Sequence, residues 1–220
     1  MAVKKPDPPK VLQKPAQDPF LNRYTTLPIA LDVLKERHIT LLSPETWEDR
    51  NDAYYLERYR GEMKFRSVLA VCFSLHRETF HHWRVFSGGS SGVCIEFDQK
   101  KLLDYVSTNK GFRHQKVSYR WISELQKSKP ALETWPFLKR KPFEDEREYR
   151  IIYETKTESL RVKPIPIQLL MIRKITLSPW LPEAVAKSVI NTIKKIDGCE
   201  KLVVERSSLI DNSGWREVID

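Results

Sequence analysis

"SVLAVCFS", residues 67–74, decides the fold. Val68, Leu69, Ala70, Val71 and Phe73 fill both alternating faces of an extended chain, so the stretch reads as a central strand covered on each side. Working outward, "VCIEF" (93–97), "FLNRYTT" (20–26), "ITLL" (39–42), "LRVKPIPI" (160–167), "MIRKITLS" (171–178) and "KLVVERS" (201–207) read as further strands. Between them, "LPIALDVLKERH" (27–38) puts Ile29, Val33 and Leu34 on one helical face behind Pro28. "RETFHHWRVF" (77–86) reads as a helix, "SGGSSG" (87–92) as a flexible connector, and Asp98 as the cap of the helix "QKKLLDYV" (99–106). "LPEAVAKSVINTIKKIDG" (181–198) carries the strongest helical period, through Val185, Val189, Ile193 and Ile196, and ends at Gly198. "SPETWEDRND" (43–52) reads as a loop, and 121–140 as a polar stretch of weak helical pattern. Several strands lie too close in sequence for parallel crossovers, which need about a dozen residues. The expected class is α+β, with a mixed, mainly antiparallel sheet and flanking helices.

The chain has 220 residues, 40% apolar and 30% charged, which suits one α+β domain over residues 20–220. Residues 1–19 hold five of the 14 prolines and no apolar period, so they read as a disordered Pro/Lys-rich tail. No stretch approaches the ~18 apolar residues of a membrane span, and the start lacks the apolar core of a secretory signal. Cys72, Cys94 and Cys199 are few and far apart, as in reduced cytosolic folds. A cytoplasmic protein without a membrane partner is expected. The formal charge of +9 points to polyanionic partners, either nucleic acid or a phosphate-bearing ligand.

Chemistry concentrates in "FEDEREYRIIYE", residues 143–154. Read as one strand, it sends Glu144, Glu146, Glu148 and Arg150 to one face and Asp145, Arg147, Tyr149 and Ile151 to the other. Glu146 and Glu148 would then be same-face neighbours roughly 7 Å apart at ~3.3 Å per residue. Their repulsion calls for a cation, a substrate or Arg150 to answer it. A solvated strand end with ladder ion pairs is the plainer reading of the same spacing. His76, His81 and His82 lack the i, i+4 spacing of metal helices, and no metal is expected there. "GGSSG" precedes a strand and lacks the Lys-Ser/Thr ending of a phosphate loop.

The order of "LNRYTTLPIALDVLKERHITLLSPETWEDRND", "VCFSL", "HHWRVFSGGSSGVCIEFD" and "EREYRII" resembles a bacterial family of uncharacterised proteins, the domain of unknown function numbered 2971, over roughly residues 20–210. More distantly, an Arg in a first strand, a Ser ending an apolar strand and a Glu-x-Glu on a later one are similar to the Arg–Ser–Glu pattern of ADP-ribosyltransferases. The usual Ser-Thr-Ser triplet is absent, since Leu75 and His76 follow Ser74. That resemblance implies a split sheet and an NAD-consuming transferase or glycohydrolase, of the kind used as toxins or defence effectors, modifying a nucleic acid or a protein. NAD would be the substrate.

The breaking nicotinamide–ribose bond develops oxocarbenium-like charge, which a carboxylate can stabilise. Glu148 is the candidate for that role, and Glu146 for orienting or deprotonating the acceptor. Arg23 would bind the pyrophosphate, Ser74 a ribose hydroxyl, and Tyr24 or Trp83 would stack on the nicotinamide. Each has a structural counterpart: an ion pair from Arg23 to the acidic stretch, a turn at Ser74, a core position for Trp83. Two other classes compete. One is a non-catalytic nucleic-acid-binding module. The other is a metal-dependent nuclease using Glu144, Asp145, Glu146 and Glu148, although Arg150 stands where the usual nuclease lysine would be.

Overall fold

A computed structural model describes residues 19–219, apart from the side chain of Thr46. The tail expected at 1–19 lies outside these residues except for Pro19, whose carbonyl accepts the Gln99 N–H at 3.2 Å. In chain order the elements are β1 (Phe20–Thr26), α1 (Leu27–Glu36), β2 (His38–Leu42), α2 (Arg50–Glu62), β3 (Ser67–Ser74), α3 (Phe80–Phe86), β4 (Gly92–Asp98), α4 (Gln99–Ser107) and β5 (Phe112–Lys116). They continue with β6 (Ser118–Arg120), α5 (Ile122–Lys127), β7 (Leu138–Arg140), β8 (Glu148–Thr155), β9 (Val162–Pro166), β10 (Ile172–Leu177), α6 (Glu183–Lys194), β11 (Val203–Arg206) and α7 (Ser213–Arg216).

Among the described residues nine strands form one mainly antiparallel sheet, in the order β11-β10-β4-β1-β3-β2-β9, with β8 on β3 and β5 on β8. Only β10 and β11 pair in parallel within it, and α6 makes the crossover between them. β3 is paired with β8 along its whole length, Ser67↔Thr155 to Ser74↔Glu148. With β1 it shares a single register pair, Asn22↔Ser74, whereas β1 follows β4 over seven. The sheet therefore splits between β1 and β3.

The alternation of β3 assigns its two faces. Leu69, Val71 and Phe73 enter the main core with Val33 and Leu34 of α1, Leu102 and Val106 of α4 and Ile193 of α6. Val68 and Ala70 enter a smaller cluster with Leu56 and Tyr59 of α2, Phe137 and Ile152. On that second face the strand continues through Cys72 to Ser74, and on β8 the matching positions are Glu148, Arg150 and Ile152. Polar chemistry is thus placed where the apolar cover of α2 gives out.

Local signals explain the boundaries. Asp98 caps α4 by accepting the Lys101 N–H at 3.0 Å, and Pro28 sits in the first turn of α1. The helical faces are rotated from the expected ones. Ala30 is buried in α1 while Ile29 is 47% exposed, and Ala186 is buried in α6 while Val185 is 47% exposed. The expected loop at 43–52 ends inside α2, whose cap Asp49 accepts from the N–H groups of Asn51 and Asp52. Among the described residues no helix is long and apolar enough to cross a membrane.

Candidate functional site

Glu148 opens β8, but Glu146 does not lie on it: Lys141–Glu146 form a 3-10 turn, and Arg147 joins turn to strand in the left-handed region (φ 42°, ψ 51°). The expected single strand with Glu146 and Glu148 two residues apart on one face is corrected accordingly. Proline at position 142 and the acidic side chains favour the turn, and the period of two begins only at Glu148. The turn is tied to the end of β3. The Leu75 N–H donates to the Arg147 carbonyl at 2.9 Å, and Ser74 Oγ donates to that of Glu146 at 2.8 Å.

Arg150 is fully buried and answers the acidic crowding. Its Nε and Nη2 donate to Glu148 Oε1 and Oε2 at 2.7 and 2.9 Å. Nη1 and Nη2 donate to Asp52 Oδ1 and Oδ2 at 3.0 and 2.7 Å, and Nη1 also reaches the Pro136 carbonyl at 2.8 Å. All five guanidinium N–H bonds are used. Trp47 covers one face of the group, 4.9 Å from ring centre to Cζ.

The small parallel pair β6–β7 brings a second cation. Tyr119 and Lys139 are register partners. The Tyr119 hydroxyl accepts the Glu148 N–H at 2.8 Å, and Lys139 Nζ lies 2.6 Å from Glu146, 3.4 Å from Glu148 and 3.7 Å from Asp52. Three carboxylates thus share two cations. Burial pushes the Glu148 carboxyl up, but Arg150 and then Lys139 outweigh it and hold the group down at about 2. Glu146 and Asp52 are raised, chiefly by burial. Burial works against the Lys139 ammonium too, yet Glu148, Glu146 and Asp52 keep it above its ordinary value. The cluster therefore holds one firmly ionised carboxylate beside two more basic ones.

A cleft of about 460 Å³ opens where β1 and β3 part, and Arg23, Tyr24, Ser74, Glu146 and Glu148 all line it. The ion pair considered for Arg23 is not formed: among the described residues it contacts no carboxylate. Its Nη1 makes one long bond, 3.4 Å, to the Cys72 carbonyl, its Nε is buried without a partner, and burial lowers its pKa. Asn22 Oδ1 and Asp49 Oδ2, also of cleft-lining residues, are likewise buried without partners. Buried polar atoms without partners are rare in folded proteins, and their gathering beside one concavity suits a polar ligand.

Ser74 is nearly saturated. Besides donating to Glu146, it accepts the His76 N–H at 3.0 Å and meets His82 Nε2 at 2.9 Å. Because Ser74 Oγ gives its own hydrogen to Glu146, the His82 Nε2–H is the donor between these two side chains, and Nδ1 accepts from Thr79 Oγ1 at 2.6 Å. Burial lowers the pKa of His82 and keeps the imidazole neutral. Trp83 is fully buried, donates from Nε1 to Glu78 at 2.7 Å and touches Tyr24 edge-on at 5.2 Å. It does not line the cleft, so its position is that of a support for Tyr24. Tyr149 faces away from the cleft, its hydroxyl 2.8 Å from His114 Nδ1.

The sequence left out Asp52, Lys139 and three rings of the cleft wall, Trp47, Phe86 and Phe143. The signal for Asp52 was available in the Asp49 cap and in Leu56 and Tyr59 spaced as one helical face. The four acids considered as metal ligands do not converge, since Glu144 turns outward to Lys141 at 2.7 Å. Among the described residues no group of three His, Cys, Asp or Glu side chains is arranged to hold a metal ion.

The family described as "Protein of unknown function (DUF2971)" matches residues 82–151 by its family model. This span includes Lys139, Glu146, Glu148 and Arg150. No curated protein matches the chain. Among solved structures the chain is similar to DarT of Thermus sp. 2.9 in complex with ADP-ribosylated ssDNA, with a TM-score of 0.45, 10% identity, and 86% of this chain and 94% of that one covered. It is similar to the same protein in complex with carba-NAD+ (TM-score 0.45, 9% identity, 87% and 96% covered) and with NAD+ (0.44, 9%, 87% and 96%).

Proposed function

We propose that the cleft binds NAD and transfers its ADP-ribose to a nucleic acid or protein acceptor, or to water. The observation that carries this is the joint exposure to one cleft of an unpaired guanidinium, Arg23, and a firmly ionised carboxylate, Glu148. The resemblance to the Arg–Ser–Glu pattern supports it. In this reading Arg23 takes the pyrophosphate, which supplies the acceptor that its buried Nε lacks. The rings of Phe86, Phe143 and Trp47 offer flat apolar surface for the nicotinamide or adenine.

As the bond from ribose C1′ to the nicotinamide nitrogen breaks, its electron pair leaves with nicotinamide and the ribose becomes cationic. Glu148, fixed by Arg150, stabilises that charge without first shedding water. The acceptor's lone pair then forms the new bond to C1′, and its proton passes to Glu146. The raised pKa of Glu146 makes it the better base of the two. Ser74, held by its own hydrogen bonds, positions the Glu146 turn.

A second reading, a binding module without catalysis, has one observation in its favour: both oxygens of Glu148 are already engaged by Arg150. Incubation with NAD carrying separate labels on nicotinamide and adenosine decides between them. Release of nicotinamide that Glu148→Gln abolishes is expected, with Arg23→Met losing NAD binding. Absence of turnover and binding with single-stranded DNA, RNA or protein acceptors would leave the binding module.

A further inference from the structure

A second concavity, of about 480 Å³, lies at the other end of β3, where Ser67 and Val68 line it. At ~3.3 Å per residue, eight residues of strand separate it from Ser74 by about 23 Å. It shares no lining residue with the cleft. Its walls are the 43–45 turn, the outer face of α2 and the loop after β8. Backbone bonds fix them: Ser67 Oγ donates to the Glu158 carbonyl at 2.9 Å and accepts the Leu160 N–H at 2.7 Å, and the Ser43 N–H donates to the Arg161 carbonyl at 3.0 Å.

Four arginines line this pocket, Arg50, Arg60, Arg66 and Arg161, against Glu45 and Glu57. Arg60 is held by Glu57 at 2.8 and 2.5 Å. The other three make no ion pair among the described residues. Some exposed cations elsewhere are neutralised locally, Arg58 by Glu62, Lys100 by Asp104 and Lys187 by Glu183; what distinguishes this pocket is that three guanidiniums without an ion pair line one concavity. In the polar pocket beside Trp83, Arg173 pairs with Glu96 and Lys174 with Glu205. Three unanswered guanidiniums around one concavity repel one another, and an anion relieves them. Tyr54, 61% exposed and in T-shaped contact with Tyr55 at 6.5 Å, adds an exposed aromatic ring to the same rim.

We propose that this pocket binds single-stranded nucleic acid, with Arg50, Arg66 and Arg161 on successive phosphates and a base stacked on Tyr54. Several separated cations suit a polyanion better than one phosphate, and an exposed ring beside them has no use for a bare phosphate or a lipid headgroup. The site is independent of the NAD reading, and its test uses no NAD.

The test is fluorescence anisotropy of labelled oligothymidine with the full chain across a salt series. The R50A/R66A/R161A variant should bind at least ~10-fold more weakly, with a salt slope shallower by about 2, since each lost single-strand phosphate contact removes about 0.7. K187A/K194A/K195A, which removes the same charge from α6 and its C-cap, should keep the wild-type slope. Tyr54→Ala should weaken oligothymidine and leave competition by inorganic phosphate unchanged. Arg50, Arg66 and Arg161 are exposed; if the triple variant unfolds, Arg161→Glu alone should still lower affinity and slope. Equal effects of the arginine and lysine variants would overturn the proposal, as would displacement of the oligonucleotide by inorganic phosphate at equal phosphate concentration, or preferential binding to phosphatidylserine vesicles.

Discussion

Two arginines meet β3 at Cys72, Arg150 as its register partner and Arg23 through its carbonyl, and are treated in opposite ways. Arg150 has a carboxylate on each side of its fork, a carbonyl on its remaining N–H and a tryptophan over its plane. Arg23 has one long bond to a carbonyl and a buried Nε with no partner. The first arrangement suits an internal anchor that fixes Glu148. The second leaves donors available to something the chain itself does not supply. A cleft with one side finished and the other unfinished is how a binding site differs from a core.

Replacing the finished arginine should have the largest effect. Arg150→Met leaves Glu148 and Asp52 buried beside Lys139 alone, and breaking such a pair costs about 3–5 kcal/mol; chemical denaturation should show this loss or outright unfolding. Glu148→Ala strands Arg150 in the same way and should approach that range, while Glu148→Gln, which keeps the shape, should cost less and remove nicotinamide release. Arg23→Met removes a half-buried charge that makes no ion pair, so the melting temperature should hold or rise while NAD affinity falls at least ~10-fold.

The pH dependence separates the two carboxylates. Glu148 is depressed to about 2 from an ordinary value of 4.5, so its contribution is complete above pH 4.5 and is lost as pH falls toward 2. Wild-type melting temperatures should drop across that window, and Glu148→Gln should flatten the drop. Glu146 is shifted the other way, so the rate of transfer should climb with pH above the usual carboxylate range, and Glu146→Gln should abolish the climb. The smallest effect is expected of Tyr24→Phe. The lost hydroxyl makes only marginal contacts, to Cys94 and the Thr79 backbone, so the variant should match the wild type in stability within ~1 kcal/mol.

Much of this frame was legible from the sequence because period-two patterns are local. "SVLAVCFS" and "FLNRYTT" coincide with β3 and β1, and Asp98 caps its helix as expected. What was not legible depended on register and on long-range pairing. The turn that removes Glu146 from β8 follows from one left-handed residue, Arg147, which a run of charged side chains conceals. Helix α2 is mostly polar, so only the Asp49 cap and the Leu56–Tyr59 pair mark it in the sequence, and Asp52 was overlooked with them. Lys139 reaches the cluster only through the three-residue pairing of β6 with β7, too short to leave a periodic trace. Trp83 was a candidate by residue type alone, and burial against Glu78 removes it from the cleft.

The most direct test of the contrast pairs two readouts on one variant: the melting temperature and the NAD affinity, by calorimetry, of Arg23→Met beside the wild type. Unchanged or higher stability together with lost NAD binding is the expected result. A variant that melts well below the wild type while NAD binds equally to both, or to neither, would make Arg23 a part of the scaffold and contradict the account.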